Sequence, residues 1–307
     1  MSSSFNVREY VLGGLGACGA CLFSNPLEVV KTRMQLQGEL RARGSYSRHY
    51  KNVFHAFYTI GRVDGIKALQ KGLVPGLWYQ FVMNGIRLGT YQTLVNYGIT
   101  KNSAGDVSMV RSVAAGAFAG SVGAAMGSPF YLVKTHLQAL SDERIAVGHQ
   151  HKHTGMLQAF HLILSREGIK GLWRGLSGAL ARVTVGSAAQ LSTFSKCKDI
   201  IEQSKIFTPG SILVSISSSM VGGVAVVCCM TPLDVISTRL YNQGVDANGR
   251  GLFYTGFRDC FWKILTKEGF FGFYKGWSAS WFRLAPHTVL NLVCWDLLRS
   301  LDKKYWK

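Results

Sequence analysis

Three arginines stand alone in apolar surroundings. Arg87 lies within 73–100, Arg182 within 176–195 and Arg283 within 277–295, and each is the only residue with a full charge in its stretch. A charge inside a membrane span is costly, so it faces an internal cavity or path. A guanidinium pairs bidentately with carboxylate, sulfate or phosphate. No carboxylate falls in the middle of these stretches, so the set is expected to attract an anion. A single arginine could instead snorkel or bond helix carbonyls; three, one per stretch at mid-span, define a path.

The path has levels. Arg182 and Arg283 are 101 residues apart, and Tyr79 is their counterpart in the first third of the chain. Arg87 lies eight residues beyond Tyr79, about 12 Å along a helix. The residues matching Arg87 are Gln190 and Asn291, with Asn84, Ser187 and Thr288 between the two levels. His287, one turn from Arg283, is both a candidate proton site and a candidate structural histidine beside Pro286.

Six stretches must position these groups. Three carry no charge over a spanning length: 10–27, 112–133 and 206–233; about 20 residues cross a bilayer core. They alternate with the three arginine-bearing stretches. Each uncharged stretch ends near a proline, at Pro26, Pro129 and Pro232, spaced 103 and 103 residues apart. A helical proline removes a backbone donor and crowds the preceding turn, so a kink or break is expected there. Small residues four apart (Gly13/Ala17, Gly116/Gly120, Ser219/Gly223) suit close helix approach in lipid. A second motif runs in phase: Asp64-Gly65 before Lys71-Gly72, Glu167-Gly168 before Arg174-Gly175, and Glu268-Gly269 before Lys275-Gly276. A period near 100 points to a triplicated unit, 1–102, 103–205 and 206–307.

Composition agrees with a membrane class. Of 307 residues, 48% are hydrophobic and only 16% charged, against a soluble domain's usual quarter. The mean hydropathy of +0.14 is low for helices that face only lipid, which fits a polar interior. The net charge of +18 raises nucleic-acid binding, but the charges lie scattered between apolar runs, so no nucleic-acid partner is expected. The seven cysteines sit mostly in apolar runs, and Cys18 and Cys21 form a lone C-x-x-C read as buried packing. Gly14, Gly16 and Gly19 match the dinucleotide fingerprint formally, but no strand precedes them. His149, His151 and His153 alternate in a loop; without acidic or cysteine partners they are read as solvated, and no metal site is expected. No cleavable leader opens the chain, so targeting is expected to be internal.

The phased motifs resemble the mitochondrial carrier family, solute carrier family 25, over nearly the whole chain. The stretches from Asn84, Arg182 and Arg283 are similar to the branch with the dicarboxylate and oxaloacetate carriers and members 34 and 35. The resemblance implies an all-α membrane protein: six transmembrane helices with three short matrix-side amphipathic helices, in a threefold pseudo-symmetric bundle. It implies inner-membrane location, both termini on the intermembrane-space side, and exchange of small anions, of the dicarboxylate/oxaloacetate or the sulfate class, by alternating access. The charge count agrees with that orientation. The three long loops hold seventeen basic residues against two in the connectors. By the resemblance, substrate meets Arg87, Arg182 and Arg283, with Asn84, Ser187, Tyr79, Gln190 and His287 around them. The matrix gate pairs Glu28 with Lys134 and Asp234 with Lys31, sets Tyr131 against Ser237, and is braced by Gln35 and Gln138.

At the other end, the cytoplasmic gate falls on Gln92/Lys198, Ser195/Arg299 and Asp296/Val95, none a full ion pair. Cardiolipin is implied at Gly72, Gly175 and Gly276 and at Asn52, Gly155 and Gly256. A monomer without cofactor or catalytic site is expected. An uncoupling-type proton or fatty-acid anion leak, and a non-transporting interaction module, are the alternatives on the same fold.

Overall fold

The computed structural model describes residues 7–42, 44–102, 106–204, 212–246 and 249–305. Six long helices follow the six predicted stretches: α1 (Val7–Leu36), α3 (Leu73–Asn96), α4 (Met109–Ala139), α6 (Leu176–Gln203), α7 (Ile212–Asn242) and α9 (Trp277–Tyr305). Three short helices lie in the long loops: α2 (Val53–Val63), α5 (Met156–Gly171) and α8 (Phe257–Glu268). Each long helix contacts the next in chain order, and α9 closes on α1. Counted among the six long helices alone, the odd ones (first, third and fifth: α1, α4 and α7) also contact one another, and α3, α6 and α9 are the even ones. By length and composition alone, two of the described helices pass as spans, Met109–Ala139 and the Val221–Asn242 part of α7. The others carry polar residues on their inward side.

The outside of the ring is apolar. Phe23, Val110, Phe118, Val221 and Leu297 are all more than half exposed. In water such a belt is a liability; around a ring with a polar interior it is the lipid-facing surface.

The prolines do not end their helices. Pro26, Pro129 and Pro232 lie inside α1, α4 and α7, each of which runs about ten residues further. Those extensions converge and build the buried part of the molecule, one apolar cluster per repeat. In the first, Val29, Val30 and Leu36 of α1 meet Val53, Ala56 and Ile60 of α2. The 3-and-4 spacing on α2 puts those residues on one face, while Phe54 and Tyr58 point outward. Asn52 caps α2 by accepting from the His55 amide at 2.8 Å.

Small residues do bring helices together, Ala17, Gly120 and Gly223 among the expected ones, but on α4 the face is turned from that expected. Added Cβ atoms at Gly120, Gly123 and Gly127 would come within 2.5–3.0 Å of Val183, the Met83 carbonyl and Tyr79, whereas one at Gly116 would meet open space. The α4 contact face is therefore Gly120/Gly123/Gly127. Gly13 and Ser219 have side positions outside the described residues.

Where the odd helices end, their last carbonyls lack intrahelical partners. A basic side chain from another repeat, arginine twice and histidine once, supplies each donor. Arg33 of α1 donates to the carbonyls of Gln138 (3.1 Å) and Leu140 (2.8 Å) at the end of α4. Arg239 of α7 donates to the Gln35 carbonyl of α1 (3.4 Å). His136 of α4 donates to the Tyr241 carbonyl of α7 (2.8 Å). Arg33 is neutralised by Asp64 (2.7 Å) and Arg239 by Glu268, both ion pairs nearly free of solvent. Burial works against the Glu268 carboxylate, but Arg239 and Lys275 hold it below the ordinary range.

Removing one partner of such a buried pair strands the other charge, at a cost of about 3–5 kcal/mol. Arg239→Ala is expected to lower the unfolding temperature of detergent-purified protein markedly, while the exposed Arg62→Ala leaves it nearly unchanged. Equal effects would show that the buried pair is not a stability determinant.

Candidate functional site

The arginines, tyrosine and gate residues gather where α1, α4 and α7 converge. The Tyr79 hydroxyl on α3 accepts from Arg182 Nη2 on α6 at 3.2 Å. Asn84 accepts from Arg87 Nη2 at 3.1 Å and donates to the Gln80 carbonyl at 2.9 Å. His287 joins three helices: its Nδ1 lies 3.0 Å from Ser24 Oγ of α1 and its Nε2 3.3 Å from Gln80 Nε2 of α3. That amide nitrogen can only donate, so Nε2 is the acceptor and Nδ1 carries the proton, donated to Ser24. Ser187 lies beside the α4 glycine face, near Gly120. Gln190 is exposed, and the Asn291 Oδ1 is buried without a hydrogen-bond partner.

The expectation that all three arginines lack acid partners is corrected. Arg283 Nη1 donates to Glu28 Oε1 at 3.1 Å. Arg182 Nε lies 3.5 Å from Asp234 Oδ1, an ion pair without hydrogen-bond geometry. The reason is that the helices continue past their prolines, which carries Glu28 and Asp234 inward to the arginine level. Arg87, a level further away, faces Asn84 and no carboxylate among the described residues. Each carboxylate also holds a lysine. Asp234 Oδ2 accepts from Lys31 Nζ at 2.8 Å, and Glu28 Oε2 pairs with Lys134. Five cations (Arg87, Arg182, Arg283, Lys31, Lys134) thus stand with two carboxylates, an excess of three positive charges.

Amide braces flank the ion pairs. Gln35 Oε1 accepts from Thr238 Oγ1 at 2.8 Å, tying α1 to α7. Gln138 Oε1 accepts from Thr32 Oγ1 at 3.0 Å, tying α4 to α1. Between α4 and α7 the bond differs in kind. Tyr131 does not hydrogen-bond Ser237, whose hydroxyl is buried without a partner. Tyr131 instead packs edge-on against Tyr241 at 4.8 Å and beside Tyr79 at 5.0 Å. The cations of Arg182 and Lys134 lie over its ring, at 5.4 and 5.8 Å. The Tyr241 hydroxyl meets Ser128 Oγ at 2.9 Å. Ser237 is held in the α6–α7 contact, where a Cβ on Gly178 would come within 2.8 Å of its Cα. Two interfaces of the ring are ionic, and the third is aromatic.

At the opposite end Gln92 donates to Asn96 at 2.9 Å on its own helix. The side chains of Lys198, Ser195, Arg299 and Asp296 lie outside the described residues. Gly72, Gly175 and Gly276 precede α3, α6 and α9 with φ of 72°, 86° and 76°. At Gly175 the need is steric as well: a Cβ would stand 2.8 Å from the Tyr241 ring. The bases beside these glycines turn inward. Lys71, Arg174 and Lys275 donate to the carbonyls of Leu140, of Gln243, and of Gln37 and Gly38. Gly155 and Gly256 begin α5 and α8 without a side-chain cap.

The solvated reading of the loop histidines is also corrected. His151 stacks on His136 with ring centres 3.5 Å apart and planes 9° apart, and His153 continues the stack. The cause is the end of α7, whose Tyr241 and Asn242 carbonyls draw donors from His136 and His151. Burial pushes His151 down to about 3 and lowers His149 and His153, so the loop imidazoles are neutral at physiological pH. Sequence reasoning overlooked His136. Its signal was the threefold phase: His136 stands 103 residues from both Arg33 and Arg239.

Comparison with known proteins agrees with the geometry. Residues 2–102, 105–205 and 208–305 each match the family described as mitochondrial carrier protein. The chain is 58% identical to solute carrier family 25 member 35 of Mus musculus, over 97% of this chain and 100% of that one. It is 40% identical to the mitochondrial oxaloacetate transport protein of Saccharomyces cerevisiae, over 93% of this chain and 86% of that one. It is 37% identical to the mitochondrial citrate transporter E of Aspergillus niger, over 98% and 97%. With three consecutive matches that span almost every residue, the chain belongs to the mitochondrial carrier protein family and is a mitochondrial solute carrier of the inner membrane.

Proposed function

We propose that this carrier exchanges small organic anions, dicarboxylates of the oxaloacetate class, through the arginine-lined centre of the bundle by alternating access. The observation that carries the reading is the sharing of each inner carboxylate. Glu28 is divided between Lys134 and Arg283, and Asp234 between Lys31 and Arg182. An incoming dicarboxylate presents two acceptors to the same guanidinium groups. As it takes Arg283 and Arg182, Glu28 and Asp234 lose half of their partners, and the ion pairs that hold α1, α4 and α7 together weaken. Cargo binding thereby loosens the gate beneath it. Arg87, free of acid, makes the first contact from the far side. The excess of three positive charges fits a dianion better than a neutral or cationic cargo. Relatives are named for oxaloacetate, a dicarboxylate, and for citrate, a tricarboxylate, both organic carboxylate anions.

In this reading the loop helices face the matrix and both termini the intermembrane space, with the matrix gate closed and the centre open to the other side. Gln92, Lys198, Ser195, Arg299 and Asp296 form the weaker cytoplasmic gate. Cardiolipin phosphates sit at the starts of the even and loop helices, around Gly72, Gly175, Gly276, Asn52, Gly155 and Gly256. Gly155 and Gly256 leave first-turn amides uncapped, so the second and third repeats offer the better lipid sites.

Proteoliposomes preloaded with dicarboxylates, keto acids, sulfate or phosphate test the exchange. Uptake that depends on the internal anion is expected from the wild type. Arg182→Ala and Arg283→Ala should each lower it by at least about tenfold, the loss of ~1.4 kcal/mol or more of cargo binding. Proton conductance without exchange would replace this reading with a leak, and neither activity from folded protein would indicate an interaction module.

Sharing of the carboxylate makes a second, sharper prediction. A simple gate pair survives exchange of its charges. Here Glu28→Lys combined with Lys134→Glu should remain inactive, because a lysine at position 28 would face Arg283. Restored exchange in that double variant would separate the gate from the arginine site.

A further inference from the structure

We propose that His136, His151 and His153 form a binding site for a transition-metal ion of the zinc class, which pins the end of α4 and its loop against the end of α7. One ring nitrogen from each of the three lies within 4.8 Å of the others. The hydrogen bonds fix which nitrogens carry protons. A carbonyl can only accept, so His136 Nε2 donates to Tyr241 and His151 Nε2 donates to Asn242. Each is left with its lone pair on Nδ1. This is the outer-shell arrangement of metal-binding histidines, in which a carbonyl holds the far N–H and orients the ring.

The third histidine supplies the distance. His136 Nδ1 and His153 Nε2 are 3.3 Å apart. Two nitrogens on a tetrahedral ion with bonds of 2.0–2.1 Å stand about 3.4 Å apart. With His136 Nδ1 bearing a lone pair, the proton between them belongs to His153. An ion takes that proton's place when His153 shifts to its other tautomer, which protonates Nδ1, an atom buried with no partner. The His151 ring tilts out of its stack to close the third bond, and water completes the fourth position.

The threefold phase explains why a cation belongs here. At the equivalent positions Arg33 and Arg239 supply a fixed positive charge, each balanced by the acid of its own repeat, Asp64 and Glu268. In the second repeat the neutral His136 takes that place, and the acid Glu167 pairs instead with Arg174. An ion at His136 puts positive charge at the interface where the ionic gate pair is also absent; of the two arginines whose charge acts on the cluster, Arg174 is paired with Glu167 and Arg166 acts on His153. The occupied site adds to the closed arrangement of α4 and α7.

The test uses full-length, detergent-purified protein stripped with a chelator and titrated with Co2+ and then Zn2+. One Co2+ per chain is expected, with the visible absorption of nitrogen-ligated cobalt, bleached as Zn2+ displaces it. His153→Gln, which removes no carbonyl cap, should weaken binding by at least about tenfold, and His151→Gln should act alike. The exposed His161→Gln should leave it unchanged. Unfolding temperature gives a second readout independent of transport: Zn2+ should raise it in the wild type and in His161→Gln but not in His153→Gln. Absence of stoichiometric cobalt uptake, or equal binding by folded His153→Gln and wild type, would overturn the site.

Discussion

Three helices end in the same small volume, and the carbonyls that those ends leave open have to be satisfied away from bulk water. A buried carbonyl without a donor is costly. The fold answers with a cyclic exchange: α1 caps α4, α4 caps α7 and α7 caps α1. A second ring of bases, Lys71, Arg174 and Lys275, caps the same ends from the turns before α3, α6 and α9. The ends of α1, α4 and α7 each draw a donor from another repeat, which ties three copies of one unit into a single body. The apolar clusters beneath each loop helix then fill the space that this convergence creates.

The cycle is symmetric in direction and asymmetric in chemistry. At the α1–α7 and α1–α4 contacts, lysine–carboxylate pairs and glutamine braces join the helices. At the α4–α7 contact every one of these elements changes together. The acid becomes Tyr131, the lysine becomes Ser237, the brace becomes Tyr241 and the capping arginine becomes His136. Removing one charge of a buried pair would strand the other; removing both and filling the space with stacked tyrosines avoids that cost. The aromatic interface carries no ion pair to compete for, so in the exchange proposed above the two ionic interfaces are the ones that a cargo anion would address.

Much of this was legible in the sequence because repetition multiplies weak signals. A proline after an apolar run means little once; in phase three times it gave the stretches and their order, while the pairs Glu28–Lys134 and Asp234–Lys31 followed from the resemblance to the carrier family. What the linear pattern could not show was depth. Each gate carboxylate has two oxygens, and the second reaches Arg182 or Arg283 across helices, a contact between residues 52 and 255 positions apart. The histidines were missed for a related reason. Read along the chain, 149–153 is a polar loop; in space it lies beneath the open end of α7, where donors are needed. Gly116 was misjudged because four-residue spacing identifies a face only to within a turn, and the neighbours decide which small residues are used.

The shared carboxylates also explain why the centre of the bundle can be strongly cationic without coming apart. Five cations and two acids in one low-dielectric centre would repel, yet four of the five cations have a carboxylate partner, and the fifth, Arg87, sits a level away against Asn84. The empty protein therefore satisfies its own charges with its own acids, at the expense of leaving each acid divided. In the exchange proposed above, a dianionic cargo would offer the two arginines better-matched partners and return Glu28 and Asp234 to their lysines alone. On that proposal binding and gating draw on the same two carboxylates, so a cargo too short or too weakly charged to displace both would occupy the centre without releasing the helices. Selectivity in such a device resides in the competition for Arg182 and Arg283 as much as in the fit of the site.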